Sequence, residues 1–249
     1  MVLRSEQPIV PKEFEVVISL EEEFNRLLQR FLDEKRKEVL SVLDEFNRGR
    51  LEVKAFTGDN IIGEMLVIFN PQNIEAAVKS IIKKIVDFGV ESVEKDLDVN
   101  ITRNKMFSET VARRSFTMVK GLTEDLAVKL RDELMVGWSM GEGIPQLRER
   151  ILKTWGDENL TTARANMIAR TETNNAFNGA RMQGAKDSGV PVVKRWNAFF
   201  DGRTGVDSKG LNGQTRPLDQ DFYDDVNHLF IPHPPNRPNC RCRMDVIPI

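Results

Sequence analysis

The sequence predicts an α+β protein, with a mainly helical N-terminal region followed by a loop-rich α+β C-terminal domain with a small β-sheet. Apolar residues recur at helical spacing through most of the first 155 positions, with charges between them. From Val190 onward, short β-prone pieces alternate with the turn clusters Asp201-Gly202, Lys209-Gly210 and Asn212-Gly213. A hydrophobic content of 40% over 249 residues is ample for a buried core.

Charge excludes the extremes. The 36 basic and 38 acidic side chains leave a net charge of -2, which implies neither a histone-like chain nor a polyanion. Residues 1–100 carry 14 basic against 20 acidic side chains and residues 101–249 carry 22 against 18, so the second part is mildly basic. The longest apolar runs, such as residues 65–69, fall far short of the roughly 20 residues that cross a bilayer. No basic segment followed by an apolar stretch opens the chain, so a soluble, unsecreted protein with no membrane partner is expected. Cys240 and Cys242 are the only cysteines, and with one residue between them they are not spaced to staple a small fold.

Residues 1–20 contain Pro8 and Pro11 and then alternate around residues 14–18, which predicts an extended N-terminal arm suited to docking on a partner. Residues 21–121 form a helical region with a candidate docking role. Phe24, Leu27, Leu28, Phe31, Leu32, Val39, Val42, Leu43 and Phe46 make a helix over 21–47, stopped by Gly49. Residues 61–69 suit either a strand or a short buried helix. Beyond Pro71 a helix runs to about Leu97, with Ile74, Val78, Ile81, Ile82, Ile85 and Val86 on one face. Residues 102–119 are sparsely apolar, and Thr123 is placed to cap a separate helix ending near Val136. The C-terminal domain, residues 122–249, continues with a glycine-punctuated turn over 138–144 and a helix opened by Pro145. A further helix over 163–186, capped by Thr161 or Thr162, ends at Ser188-Gly189, and its small residues permit close helix contacts.

Several short motifs follow in order: Ile168-Ala169-Arg170-Thr171-Glu172-Thr173 leading into Asn178, Lys194-Arg195-Trp196, Asp201-Gly202-Arg203-Thr204, Leu211-Asn212-Gly213-Gln214, and Pro234-Pro235-Asn236-Arg237-Pro238-Asn239-Cys240-Arg241-Cys242-Arg243. Together, from Leu122 onward, they resemble the phage Mu F-like head morphogenesis (minor head, minor capsid) family. The resemblance marks Arg170, Thr171, Glu172, Asn178, Trp196, Asp201, Arg203, Gly213, Pro235 and Asn239 as motif residues. It implies a structural minor head protein of a tailed phage, without enzymatic activity. Such a protein lies in the capsid interior near the portal, meets portal and capsid subunits, and acts in head assembly and in DNA packaging or ejection. Relatives commonly place a His or a Cys pair where this chain has Val206, Asp207 and Ser208, and a His where it has Arg237; if those family residues hold a metal, part of the set is replaced here.

The residues themselves allow plainer and sharper readings side by side. Arg170, Asn174 and Asn178 are i to i+4 steps and share a helix face, with Glu172 pointing elsewhere. They act as a polar anchor for the loop-rich module, as a ligand site, or as a solvated face. Asp201 and Arg203 flank a glycine and suit a loop clamp rather than a catalytic pair, because no nucleophile or base lies nearby in sequence. His228, His233, Cys240 and Cys242 gather the donor types of structural zinc within fifteen residues, yet their spacing is not that of common zinc knuckles. A pair of reduced structural thiols and a vicinal disulfide-like or intermolecular link are the other readings. Lys194, Arg195, Arg237, Arg241 and Arg243 are candidates for a basic patch on non-specific DNA, with Trp196, Phe199 and Phe200 available for stacking if exposed. The rival functions are thus a metal-dependent, nuclease-like enzyme using the His/Cys cluster, or a DNA-binding accessory module.

Overall fold

A computed structural model of the chain describes residues 12–47, 63, 67–200 and 204–249. Among the described residues five helices of 12 residues or more precede a C-terminal region of small antiparallel sheets, an α+β arrangement. None of these helices is long and apolar enough to cross a membrane.

The first helix, α1, spans Lys12–Asn47. It therefore begins inside the segment expected to be an extended arm. Alternation of Phe14, Val16 and Ile18 suggests a strand, but Val17, Phe24 and Leu28 are the residues that become buried, while Val16 is exposed. Phe14 stacks on Phe199 with ring centroids 4.6 Å apart. A long-range contact thus stabilises the first turns, which local alternation does not register. Residues 1–11, with both prolines, lie outside the described residues. So does most of the ambiguous 61–69 stretch, although Phe69 is buried against Trp155.

Helix α2, Gln72–Leu97, has the bounds expected from Pro71 and the isoleucine stripe. Asp98 closes it in the left-handed conformation, its N–H bonded to the Glu94 carbonyl. Helix α3, Lys105–Ser139, is continuous where a break near residues 119–123 was expected. Val119, Leu122, Leu126, Leu130 and Leu134 carry one apolar stripe across the junction, and Thr123 is buried, its hydroxyl donating to the Lys120 carbonyl at 2.8 Å instead of capping. Asn104 is the cap, its side chain accepting from the Phe107 N–H at 3.0 Å. The glycine turn accordingly starts after Ser139, with Gly141 at a φ of 69°.

Helix α4, Ile144–Trp155, starts with Pro145 in its first turn. Thr161 precedes α5, Thr162–Asp187, but makes no capping bond: its hydroxyl donates to the Trp155 and Asp157 carbonyls and holds the α4–α5 turn. Helix α5 is the centre of the molecule and packs against α1, α2, α3 and the last strand. Its approach to α2 is close because the facing residues are small. A Cβ on Gly89 of α2 would lie 2.7 Å from the Ala180 Cβ and 2.8 Å from the Phe177 carbonyl oxygen.

Strand β1 spans Val192–Asn197, α6 Val206–Leu211, β2 Thr215–Pro217, β3 Phe222–Asp224, β4 Leu229–Ile231 and β5 Arg243–Pro248. The sheet order is β2-β1-β5, both pairings antiparallel, with Trp196 opposite Met244. β3 and β4 form a separate hairpin. Along β1 the period-two pattern buries Val192, Lys194 and Trp196 and turns Arg195 and Asn197 outward. Trp196 meets Phe222 edge to face at 5.3 Å, which ties the sheet to the hairpin.

Candidate functional site: a polar ladder between α5 and the C-terminal strand

Four residues on one face of α5 reach across to the segment 239–244. Arg170 Nη1 donates to the Asn239 side-chain oxygen at 3.1 Å, and Asn174 Nδ2 to the Cys240 carbonyl at 2.7 Å. Asn178 Nδ2 donates to the Cys242 carbonyl at 3.2 Å while its Oδ1 accepts from the Met244 N–H at 2.8 Å, and Arg181 Nε donates to the Met244 carbonyl at 2.8 Å. The geometry has a simple origin. Four helical residues rise about 6 Å and two extended residues about 6.6 Å, so i, i+4 positions on the helix keep step with alternate residues of the strand. Thr171 adds a rung by accepting from the Asn239 N–H at 3.1 Å, and Asn239 sits at a φ of 63° to present that N–H. The ladder satisfies backbone groups of an irregular segment that has no sheet partner until Arg243.

Both ends of the ladder are anchored to the helices. Arg170 Nε donates to Glu21 of α1 at 2.8 Å. The fully buried Arg181 reaches α2, donating to the Ser92 hydroxyl and to Asp96 at 2.5 Å. Glu172 points away from the ladder into α3, accepting from the Ser115 hydroxyl at 2.9 Å with the Arg114 guanidinium 3.7 Å away. Burial raises the Glu172 pKa above the ordinary carboxylate value, with Arg114 and the Ser115 bond opposing it. Asp245 is also buried, which disfavours its charge, but the Arg243 and Arg195 guanidiniums and the Asn197 amide together outweigh that and hold it below the ordinary range. Sequence reasoning missed Arg181, Ser92 and Asp96; Arg181 lies three residues beyond Asn178 on the same face, which is the signal that was available.

The cysteines are free, buried, and stacked under the ladder. Cys240 Sγ accepts from the Cys242 N–H at 3.3 Å and lies 3.9 Å from the Ser208 oxygen, whose hydroxyl donates to the Asn236 side-chain oxygen at 3.3 Å. Interaction with the neighbouring Cys242 thiol pulls the first proton loss of the pair below the ordinary thiol range, and the same interaction together with burial holds the second above it. A cavity of about 190 Å³ adjoins the pair, lined by Arg170, Thr204, Ser208, Arg237 and Arg241 among others. Asp207 and Arg237 face each other in an ion pair of 2.9 Å.

The expected zinc set is not assembled. His228 is exposed at the hairpin tip with its Nδ1 3.1 Å from the Tyr223 hydroxyl, and His233 lies against Gly179 of α5, its Nδ1–H donating to the Pro234 carbonyl at 2.7 Å. Among the described residues no group of three or more His, Cys, Asp or Glu is gathered to hold a metal ion. Chain proximity within fifteen residues does not bring the four together, because the hairpin and the 232–239 loop carry the histidines in different directions.

The basic patch is dispersed too. Lys194 is buried, so it cannot meet a phosphate; its Nζ donates to the Pro232 carbonyl at 2.6 Å and sits 4.9 Å from the Phe222 ring centroid. Arg195 pairs with Asp245, Arg237 with Asp207, Arg241 with Glu21 and Arg243 with Glu13 and Asp245. Trp196 is core rather than a stacking platform, Phe199 is occupied by Phe14, and only Phe200 of the three is exposed. Gly213, at a φ of 82°, donates its N–H to the Trp196 carbonyl and turns the chain into β2. Pro235 follows a cis bond from Pro234. Asp201 and Arg203 lie outside the described residues, so the loop clamp is not described.

These features define a class: an α+β structural module in which a long helix is clasped to a C-terminal strand by side-chain-to-backbone bonds. Residues 128–245, just under half of the chain, match the model of the family described as Phage Mu protein F like protein, and this region is similar to that family. The matched region holds α4, α5 and the strands, and hence every rung of the ladder. No curated protein and no solved structure matches the chain.

Proposed function

We propose that this protein is a minor head protein of a tailed phage, carried in the capsid interior near the portal, where it acts in head assembly and in DNA packaging or ejection. The family match over residues 128–245 is the observation that carries this reading. The C-terminal module serves as the rigid part, because a buried ladder locks its last strand to α5. The helical layer of α1, α2 and α3 offers the surface for portal or capsid subunits.

The test is co-expression of the full chain with the portal protein encoded by the same phage, followed by size-exclusion chromatography with light scattering. A complex of fixed stoichiometry, together with the protein's presence in purified virions by mass spectrometry, is the expected result. Absence from virions and no association with the portal protein would overturn the proposal.

A further inference from the structure

A cysteine that serves only as a small apolar filler needs no donor, and sulfur in a thiol is a weak acceptor. Here the Cys242 N–H donates to Cys240 Sγ at 3.3 Å, and Arg170, Arg237 and Arg241 line the cavity beside it. An N–H donor and nearby cations favour a thiolate, the nucleophilic form. The second thiol is two residues away in contact with the first, and the cavity lined by Arg170, Thr204, Ser208 and Arg241 reaches both residues. At about 190 Å³ it has room for a small molecule and not for a second protein.

We propose that Cys240 and Cys242 form a peroxide-oxidisable dithiol, with Cys240 attacking a small hydroperoxide in this cavity and Cys242 resolving the product to an intramolecular disulfide. In the first step the Cys240 thiolate attacks the peroxide: an S–O bond forms, the O–O bond breaks, and the leaving alkoxide or hydroxide takes a proton. Cys240 becomes a sulfenic acid. In the second step Cys242 sulfur attacks Cys240 sulfur, the S–S bond forms, the S–O bond breaks, and water leaves with the Cys242 proton. Two thiols and one hydroperoxide thus give one disulfide, one alcohol (or water) and one water, a two-electron oxidation of the protein.

The ladder makes this chemistry visible. The Cys240 carbonyl accepts from Asn174 and the Cys242 carbonyl from Asn178, so both cysteines are pinned through their backbones to α5. Closing a disulfide across a single residue draws the two Cα atoms together and pulls these carbonyls out of register with the helix. Oxidation therefore loosens the 239–244 segment.

The experiment uses the full chain, reduced and desalted, then exposed to hydrogen peroxide and analysed by intact mass and peptide mapping. The wild type is expected to lose both titratable thiols and about 2 Da, the two thiol hydrogens, with Cys240 and Cys242 joined in one peptide and faster hydrogen exchange at Met244. Cys242→Ser is expected to stop at a sulfenic acid on Cys240 that dimedone traps. Cys242 in Cys240→Ser is expected to react at least about tenfold more slowly, since no backbone N–H donates to its sulfur among the described contacts. Wild-type protein that retains both thiols at a peroxide concentration that consumes free cysteine overturns the proposal, as does a peptide map showing only intermolecular links. The wild-type map stands by itself even if either variant fails to fold.

Discussion

The side-chain oxygen of Asn178 accepts the Met244 N–H at 2.8 Å while its nitrogen donates to the Cys242 carbonyl at 3.2 Å, so one amide on α5 replaces a strand edge for β5. Asn178 is fully buried, and water cannot stand in for it. Asn178→Ala leaves a buried donor and a buried acceptor without partners, which costs about 2–6 kcal/mol at ~1–3 kcal/mol for each orphaned group. Urea denaturation should show a lower midpoint with an unchanged slope. Met244 amide exchange should rise well above that of Val246, and an unchanged Met244 rate would refute the ladder.

Gly89 sets the distance between α2 and α5. Gly89→Ala adds a methyl 2.7 Å from Ala180 and 2.8 Å from a backbone oxygen that has no rotamer to escape into. The gain in helix propensity, about 1 kcal/mol, is outweighed by overpacking of about 1–3 kcal/mol. Net destabilisation is expected, larger for Gly89→Val, and thermal melting of the two variants checks the order. A more stable Gly89→Ala would mean that the helices are free to separate.

Burial raises the Glu172 pKa above its ordinary value. The folded state therefore binds its proton up to a higher pH than the unfolded chain does. This contribution favours folding most at pH below the ordinary value of 4.5 and declines as pH rises through the window up to the folded value. Glu172→Gln keeps an acceptor for Ser115 and removes the titration. The stability of wild type relative to this variant should fall as pH rises above 4.5, measured by urea unfolding at each pH; a flat difference would contradict the burial argument.

Lys194 titrates with the opposite sign at the other end of the scale. Burial lowers its pKa from 10.5 to about 8, with the nearby Asp221 opposing. Between these values the unfolded chain holds more protons than the folded one, so stability should rise with pH, by an amount on the order of 2 kcal/mol. Lys194→Met is expected to abolish that rise while costing the Pro232 bond at every pH. Denaturation of both proteins at pH values either side of this window separates the two effects.

How much was legible depends on the range of the interaction concerned. The bounds of α2 and the end of α5 at Ser188 could be read because Pro71 and Gly189 act on neighbouring φ and ψ angles. The shared face of Arg170, Asn174 and Asn178 could be read for the same reason, since helical spacing is local. Their partners could not. Asn174 bonds to a carbonyl 66 residues away, and a backbone carbonyl carries no residue-specific mark. The continuous α3 and the early start of α1 were misjudged because packing, through Leu122 and Leu126 in one case and Phe14 on Phe199 in the other, overrode local signals.

Charge and donor type misled where sequence neighbours part company in space. Lys194 reads as a surface cation, yet it shares the inward face of β1 with Val192 and Trp196, and period-two alternation leaves it no route out. His228 and His233 sit five residues apart and end in separate environments, one at an open hairpin tip and the other against α5.

Residue order alone thus determined the helical spacing, the polar face of α5, the presence of a small β-rich C-terminal part and the motifs of the phage head family, because all of these arise from local periodicity or from residue identity. Only the tertiary structure decided that the polar face clasps residues 239–244, that Asp207 meets Arg237, and that Cys240 and Cys242 line one cavity with Arg170. These depend on bringing chain segments tens of residues apart within about 3 Å. That distance is set by the packing of α5 between the other helices and β5, and no single stretch of sequence encodes it.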